Sequence, residues 1–193
     1  MKVSAGRVAG FVANPDPGIS AILVYGPNAG LVREYCNSLA RQILDDPSDP
    51  FRAAELTGAA IADTPTRLAD ELLALSFGGD RRLVTVRDGA DGLTKSLESA
   101  LDAGAEADMN AVPLVEAGAL TGRSSLRKLC EKRDDCAALP CYADDEEARA
   151  RLARGLLSEA GIGIDSDVLR TLTGFLGDDR LSNRREIEKL VLF

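Results

Sequence analysis

Histidine and tryptophan are absent from the 193 residues, and aromatic residues make up only 4%. Without histidine no Ser-His-Asp or Cys-His triad can be assembled. No imidazole can serve as general base, and no His-containing zinc site can form. So few rings leave no platform on which to stack RNA bases. Long apolar runs are missing too. Stretches such as Ala21 to Tyr25 fall far short of the roughly 20 residues that cross a bilayer. One Lys and one Arg precede Phe11, but a Pro-Asp-Pro turn stands where a signal peptide has its apolar core. A cytoplasmic protein with no membrane contact is the expectation. Cysteine is sparse: Cys36 stands alone, and Cys130, Cys136 and Cys141 follow at spacings of six and five, without a C-x-x-C pair. That spacing argues against a zinc ribbon or a redox motif. Free buried thiols are expected, the alternative being an all-thiolate zinc site with Cys36 folded beside the other three. No metal and no cofactor are expected.

What remains is ordinary globular composition, 45% hydrophobic and 28% charged, with 31 acidic against 23 basic residues and a net charge of −8. The length suits one full α/β domain, or a medium domain and a small one. Ala21 to Tyr25 reads as a buried parallel strand. Gly26-Pro27-Asn28-Ala29-Gly30 is a turn cluster. Leu31 to Leu44 has helical spacing, with Leu31, Val32, Cys36, Leu39 and Ile43 on the buried face. Phe51 to Leu56 is a weak strand. Thr64-Pro65 predicts a helix start, Thr64 as N-cap, for a helix burying Leu68, Ala69, Leu72 and Leu73 and ending at Gly78-Gly79. Arg82 to Arg87 is a strand, and Leu93, Leu97 and Leu101 mark a helix closed by Gly104. Ala111 to Val115 is a strand despite Pro113, which predicts a bulge or a strand starting at Leu114. Ser124 or Ser125 caps a short basic helix, and Ala137 to Tyr142 is a last strand, with Pro140 favouring the sheet edge.

Strand and helix alternate to this point, so a parallel sheet with helices on both faces follows. Three helices without a strand come next. The first, Asp144 to Ala160, opens on four acids. The second is capped by Asp165, carries Val168, Leu169, Leu172, Phe175 and Leu176, and stops at Gly177. The third, Asn183 to Phe193, has Asn183 and Glu186 placed for a capping box. The expected division is an α/β domain over 1–142 and a small helical lid domain over 143–193.

A strand, a Gly-rich turn and a helix form the frame of a phosphate-binding P-loop. A working P-loop needs a second Gly, a Lys and a Ser or Thr at its end. Here Gly26 opens the turn and Gly30 follows, but Leu31, Val32 and Arg33 stand at those three positions. Gly89 follows Arg87-Asp88 where a metal-holding acidic pair is needed. The frame is present without its chemistry, and no nucleotide binding is expected at Gly26, Gly30, Val32 and Arg33. A P-loop NTPase with an aberrant nucleotide-binding loop is the alternative.

At this point the chain resembles the delta subunits of the bacterial DNA polymerase III clamp loader. The likeness lies in Val24 to Val32, Asp49-Pro50-Phe51, Leu68-Ala69-Asp70-Glu71 and Ser76-Phe77-Gly78-Gly79-Asp80-Arg81-Arg82-Leu83. It continues in Glu116-Ala117-Gly118, Ser124 to Lys128, Pro140 to Asp144, Leu176 to Arg180 and Glu186 to Leu190. These matches run in chain order from Ala21 to Phe193. The resemblance implies an AAA+-like domain with a degenerate P-loop, a three-helix lid, and a C-terminal collar domain that this chain lacks. It implies a subunit of the DNA polymerase III holoenzyme, a nucleotidyltransferase complex active in DNA replication, with no active site of its own. Such a subunit binds and opens the β sliding clamp for loading on primed DNA, while neighbouring ATPase subunits and delta prime complete the loader. DNA is met only within the assembled complex. By the same resemblance the clamp-binding element is the apolar tip Leu73, Leu75, Ser76 and Phe77. The family commonly ends that tip in Leu-Phe; Ser76-Phe77 departs from this, which leaves open whether Leu73 or Leu75 accompanies Phe77. An AAA+-derived scaffold outside replication is a further alternative.

Arg123, Arg127, Lys128, Lys132 and Arg133 concentrate positive charge on one helix and its flank. A solvated face, a neighbouring subunit or a phosphate backbone would each suit it. Arg180, Arg184 and Arg185 lie where AAA+ lids place a phosphate-sensing Arg, and without a P-loop Lys a structural role is expected.

Overall fold

In a computed structural model, which describes residues 1–74, 81–107, 110–142, 146–177 and 179–192, the apolar run Ala21–Tyr25 forms β1, buried along its whole length. Its partners are β2 (Ala53–Thr57), β3 (Arg82–Gly89), β4 (Ala111–Ala117) and β5 (Cys136–Pro140). All pairings are parallel, in the order β2-β3-β4-β1-β5. The crossovers run through helices, as parallel strands require. They are α2 (Ala29–Ile43), α3 (Gly58–Asp63), α4 (Arg67–Leu73), α5 (Thr94–Glu106) and α6 (Ser125–Lys132). A helix α1 (Ala5–Ala13) precedes the sheet and buries Val8 and Val12.

Side chains alternate across a strand. Leu23, Tyr25, Val84, Val86, Val115 and Ala138 therefore share one face, packed with Ile61, Leu68, Leu72, Leu97, Leu101 and Leu126 of the helices. The alternate positions Ile22, Val24, Leu83, Leu114 and Leu139 are buried as well, so both faces are covered, as the chain's alternating pattern implies. Beyond β5, residues 1–3 run alongside the strand: Val3 N donates to Ala138 O and Ala138 N to Met1 O, each at 3.0 Å. A network fixes the start of α6. Ser124 Oγ accepts from Arg127 N at 3.2 Å, and Asp91 accepts from Ser124 Oγ and from Leu126 N. Those bonds hold the Asp91 carboxyl below its ordinary pKa.

Several local expectations change. Thr64 is no N-cap; it ends α3, its N–H bonded to Ala60 O, and α4 begins at Arg67. Thr57 is the working cap of α3, accepting from Ala60 N at 3.1 Å. Gly104 does not close α5, which runs on to Glu106 with Gly104 on its buried side. Pro113 causes neither a bulge nor a late start. It sits opposite Val84 in the ladder to β3, while the ladder to β1 begins one residue later, at Ile22 and Leu114. The irregularity falls instead between Val86 and Gly89 of β3.

The chain divides into two compact units, Met1–Gly26 with Val32–Cys141, and Pro27–Leu31 with Tyr142–Phe193. In the second, α7 (Glu146–Glu159), α8 (Ser166–Phe175) and α9 (Arg180–Val191) enclose Leu152, Leu156, Leu157, Leu169, Leu176 and Ile187. Gly161, at φ 75°, ends α7 in the left-handed conformation that a residue without Cβ adopts freely. Asn183 does not cap α9. It is buried one turn inside the helix, where Oδ1 accepts from Gly177 N (2.9 Å) and Nδ2 donates to Gly177 O (2.8 Å). Asp179 does the capping, accepting from Ser182 N and Oγ. Val168 and Phe175, placed by spacing on the buried stripe of α8, are exposed.

Candidate functional site

In open α/β sheets ligands bind outside the carboxyl ends of the strands, and here those ends carry charge. Glu55, Arg87 and Glu116 lie near the ends of β2, β3 and β4. Each is out of phase with the residues packed on the α3–α6 face, so all three share the opposite one. Arg33 of α2 reaches the same cluster. Glu116 bridges both arginines, pairing with Arg33 at 2.9 Å and with Arg87, and Arg87 also pairs with Glu55 at 3.1 Å. Burial disfavours the Arg87 charge, but hydrogen bonds and attraction from Glu116 and then Glu55 outweigh it and raise its pKa. Two arginines and two glutamates leave the cluster neutral. Cys36 is buried beside it; desolvation, then the Glu116 charge, push its thiol pKa well up. Asp88 adopts a left-handed φ of 55° at the end of β3, an uncommon conformation for a residue with a side chain.

This arrangement locates the four loop residues singled out in the sequence. Gly26 is needed for space, since a Cβ there would lie 1.8 Å from Cys141 O. Gly30 is the second residue of α2 rather than part of a loop. Asn28 stands before the helix, its Oδ1 accepting from Leu31 N at 3.1 Å. Val32 is buried at 2% exposure, and Arg33 is spent on Glu116. Sequence reasoning missed Glu55 and the pairing role of Glu116. The available signal was a charged residue at matching phase near the ends of three successive strand patterns. Glu116→Gln keeps the shape and removes the charge facing the partly buried Arg87 and the exposed Arg33. We expect a loss of about 1–2 kcal/mol, read from urea midpoints, with less loss for Glu55→Gln because Glu55 is mostly exposed.

Of the apolar tip, Leu73 is the last residue of α4 and is 40% exposed, whereas Leu72 beside it is buried. Leu75, Ser76 and Phe77 lie outside the described residues. The basic segment is partly consumed internally. Arg127 stacks over the Tyr25 ring at 5.2 Å and pairs with Glu131, and Arg133 pairs with Asp102 and Asp135. The four cysteines are free and buried. Among the described residues no His/Cys/Asp/Glu group of metal-binding geometry occurs, and no helix is long and apolar enough to cross a membrane.

No protein-family model matches the chain. In fold it is an AAA+-like α/β protein, as the resemblance implied. It superposes on the Bacillus subtilis clamp loader delta protein with a TM-score of 0.65 at 16% identity, over 98% of this chain and 57% of that one. Domain III of the Thermotoga maritima replication initiation protein DnaA gives 0.58 at 14% identity, over 98% and 85%. A DNA polymerase III gamma subunit-related protein of Thermotoga maritima gives 0.53 at 16%, over 97% and 58%.

In sequence the chain resembles the DNA polymerase III delta subunit. It is 25% identical over 176 residues to a probable delta subunit of Rickettsia prowazekii, a match covering 91% of this chain and 51% of the relative. The chain thus spans about half the length of that relative.

Proposed function

We propose that this chain is the AAA+-like and lid portion of a clamp-loader delta subunit, acting in DNA replication as a protein-binding lever without ATPase chemistry. The observation that carries the reading is the pairing of a delta-like sequence with the neutral cluster of Arg33, Arg87, Glu116 and Glu55. A nucleotide needs a Lys for its phosphates and a hydroxyl for its metal; here a buried Val and an ion-paired Arg stand in their places. The partner in this reading is the β sliding clamp, opened for loading on primed DNA. The contact is the apolar tip of Leu73, Leu75, Ser76 and Phe77. ATPase subunits and delta prime supply the energy and the rest of the assembly, in the cytoplasm. The half-exposed Leu73 at the end of α4 supports this placement of the tip.

An aromatic anchor often dominates an interface. Phe77→Ala is therefore expected to weaken clamp binding about 30-fold, the effect of losing a hot-spot residue worth about 2 kcal/mol. Surface plasmon resonance against immobilised clamp measures it. Affinity equal to that of the unmodified chain would sink the tip assignment. Micromolar binding of Mg-ATP by calorimetry would favour the NTPase alternative instead.

A further inference from the structure

Helix α4 has seven residues, too few to be stable by itself, and its last carbonyls have no partner within the helix. The answering donor comes from the first residue of β3. Arg82 is 8% exposed. Its Nη1 donates to Glu71 O and to Ala74 O, each at 3.0 Å, and its Nη2 lies 3.4 Å from Glu71 Oε2. A guanidinium suits this place because one planar fork satisfies several acceptors at once, and its charge complements the negative end of the helix dipole. Leu72, buried beside these contacts, anchors the same turn on the core. Leu73 is left facing outward from a helix end that is fastened to the sheet.

We propose that Arg82 is a positioning residue for the protein-docking end of α4: it ties the last helical turn to the start of β3 and so sets the direction in which Leu73 is presented. This rests on the reading that the end of α4 is the clamp contact. Arg82 touches no partner itself; its effect passes through the helix end. The gain is preorganisation, since an end already fixed loses less freedom on binding.

Two readouts on the whole chain test it, for Arg82→Met and Arg82→Lys. In hydrogen exchange, Arg82→Met is expected to speed exchange in the last turn of α4 about tenfold or more, while β1 and β4 keep their protection. In clamp binding, Arg82→Met is expected to cost about tenfold in the otherwise unmodified chain, but less than about twofold in a Phe77→Ala background, because residues that act through one another are not additive. Arg82→Lys, with one ammonium in place of the fork, recovers only part of each loss. Unchanged exchange at α4, or equal affinity losses in both backgrounds, overturns the proposal. Should the unmodified chain fail to bind clamp while Arg82→Met still loosens α4, the docking reading falls and the positioning role falls with it, although the fastening of the helix end stands.

Discussion

Gly26→Ala is expected to cost about 3 kcal/mol or more and to unfold the first unit at low urea concentration. The added Cβ would lie 1.8 Å from the carbonyl oxygen of Cys141, with that residue's carbonyl carbon at 2.6 Å. The obstacle is backbone, not a side chain that can swing away, so relief requires moving strand ends. Overpacking of a close-packed interior costs 1–3 kcal/mol in ordinary cases and more where the surroundings cannot yield. The end of β1 has little room to yield: Cys141 N donates to Tyr25 O at 2.7 Å, and Gly26 N to Gly118 O at 3.1 Å. Gly92 supplies the control. Nothing lies within 4 Å of a Cβ built there, so Gly92→Ala should stay within about 0.5 kcal/mol, as surface substitutions do. Equal urea midpoints for the two variants would refute the steric account. The result bears on function, because Gly26 is the glycine that makes the turn look like a phosphate loop. Packing alone accounts for its presence.

Val32→Lys restores the lysine that a working P-loop carries, and it is expected to damage the protein without creating a nucleotide site. Val32 is 2% exposed, and an ammonium at a buried apolar position must either lose its proton or force the structure open. A loss of about 3 kcal/mol is expected, the range of a charge buried without a partner. Calorimetry with Mg-ATP should give no binding heat, for the arginine at the hydroxyl position remains paired to Glu116. A stable variant that binds ATP at micromolar concentration would show that a single side chain separates this loop from a working one. That would undercut the reading of the Arg33–Glu116–Arg87 cluster as a replacement for nucleotide.

The parts of this protein readable from sequence are those where one periodicity decides. Ala21–Tyr25 can only be buried, and the stripe Leu93, Leu97 and Leu101 has one helical face to hide. Residues whose role depends on a contact that no local periodicity encodes were harder to read. Asn183 has the composition of a cap but spends both ends of its amide on Gly177. Thr64 before a proline looks like a helix start, yet Thr57 had already begun a shorter helix that Thr64 closes. Gly104 reads as a stop, but on the buried side of α5 it continues the helix. Helix α1 escaped notice because Val8 and Val12 are a sparse stripe among alanines and glycines. At the candidate site the missing lysine and hydroxyl were legible. The ion pairs standing in their place were not, because strand order, which brings β2, β3 and β4 side by side, is not written in local spacing. The same holds for Arg82, which reads as the polar start of a strand and serves the helix before it.

The short stretch alongside β5 has a consequence for how the protein behaves in concentrated solution. A parallel sheet ends in two open rows of amide and carbonyl groups, and such rows template pairing with other chains. On the β5 side the bonds between Val3, Ala138 and Met1 occupy part of that row. The alanines of β5 offer no bulk or charge to discourage an incoming strand. The first three residues thus act as a guard on one margin of the sheet, and trimming them would remove the buried Val3 as well as open that margin to self-association.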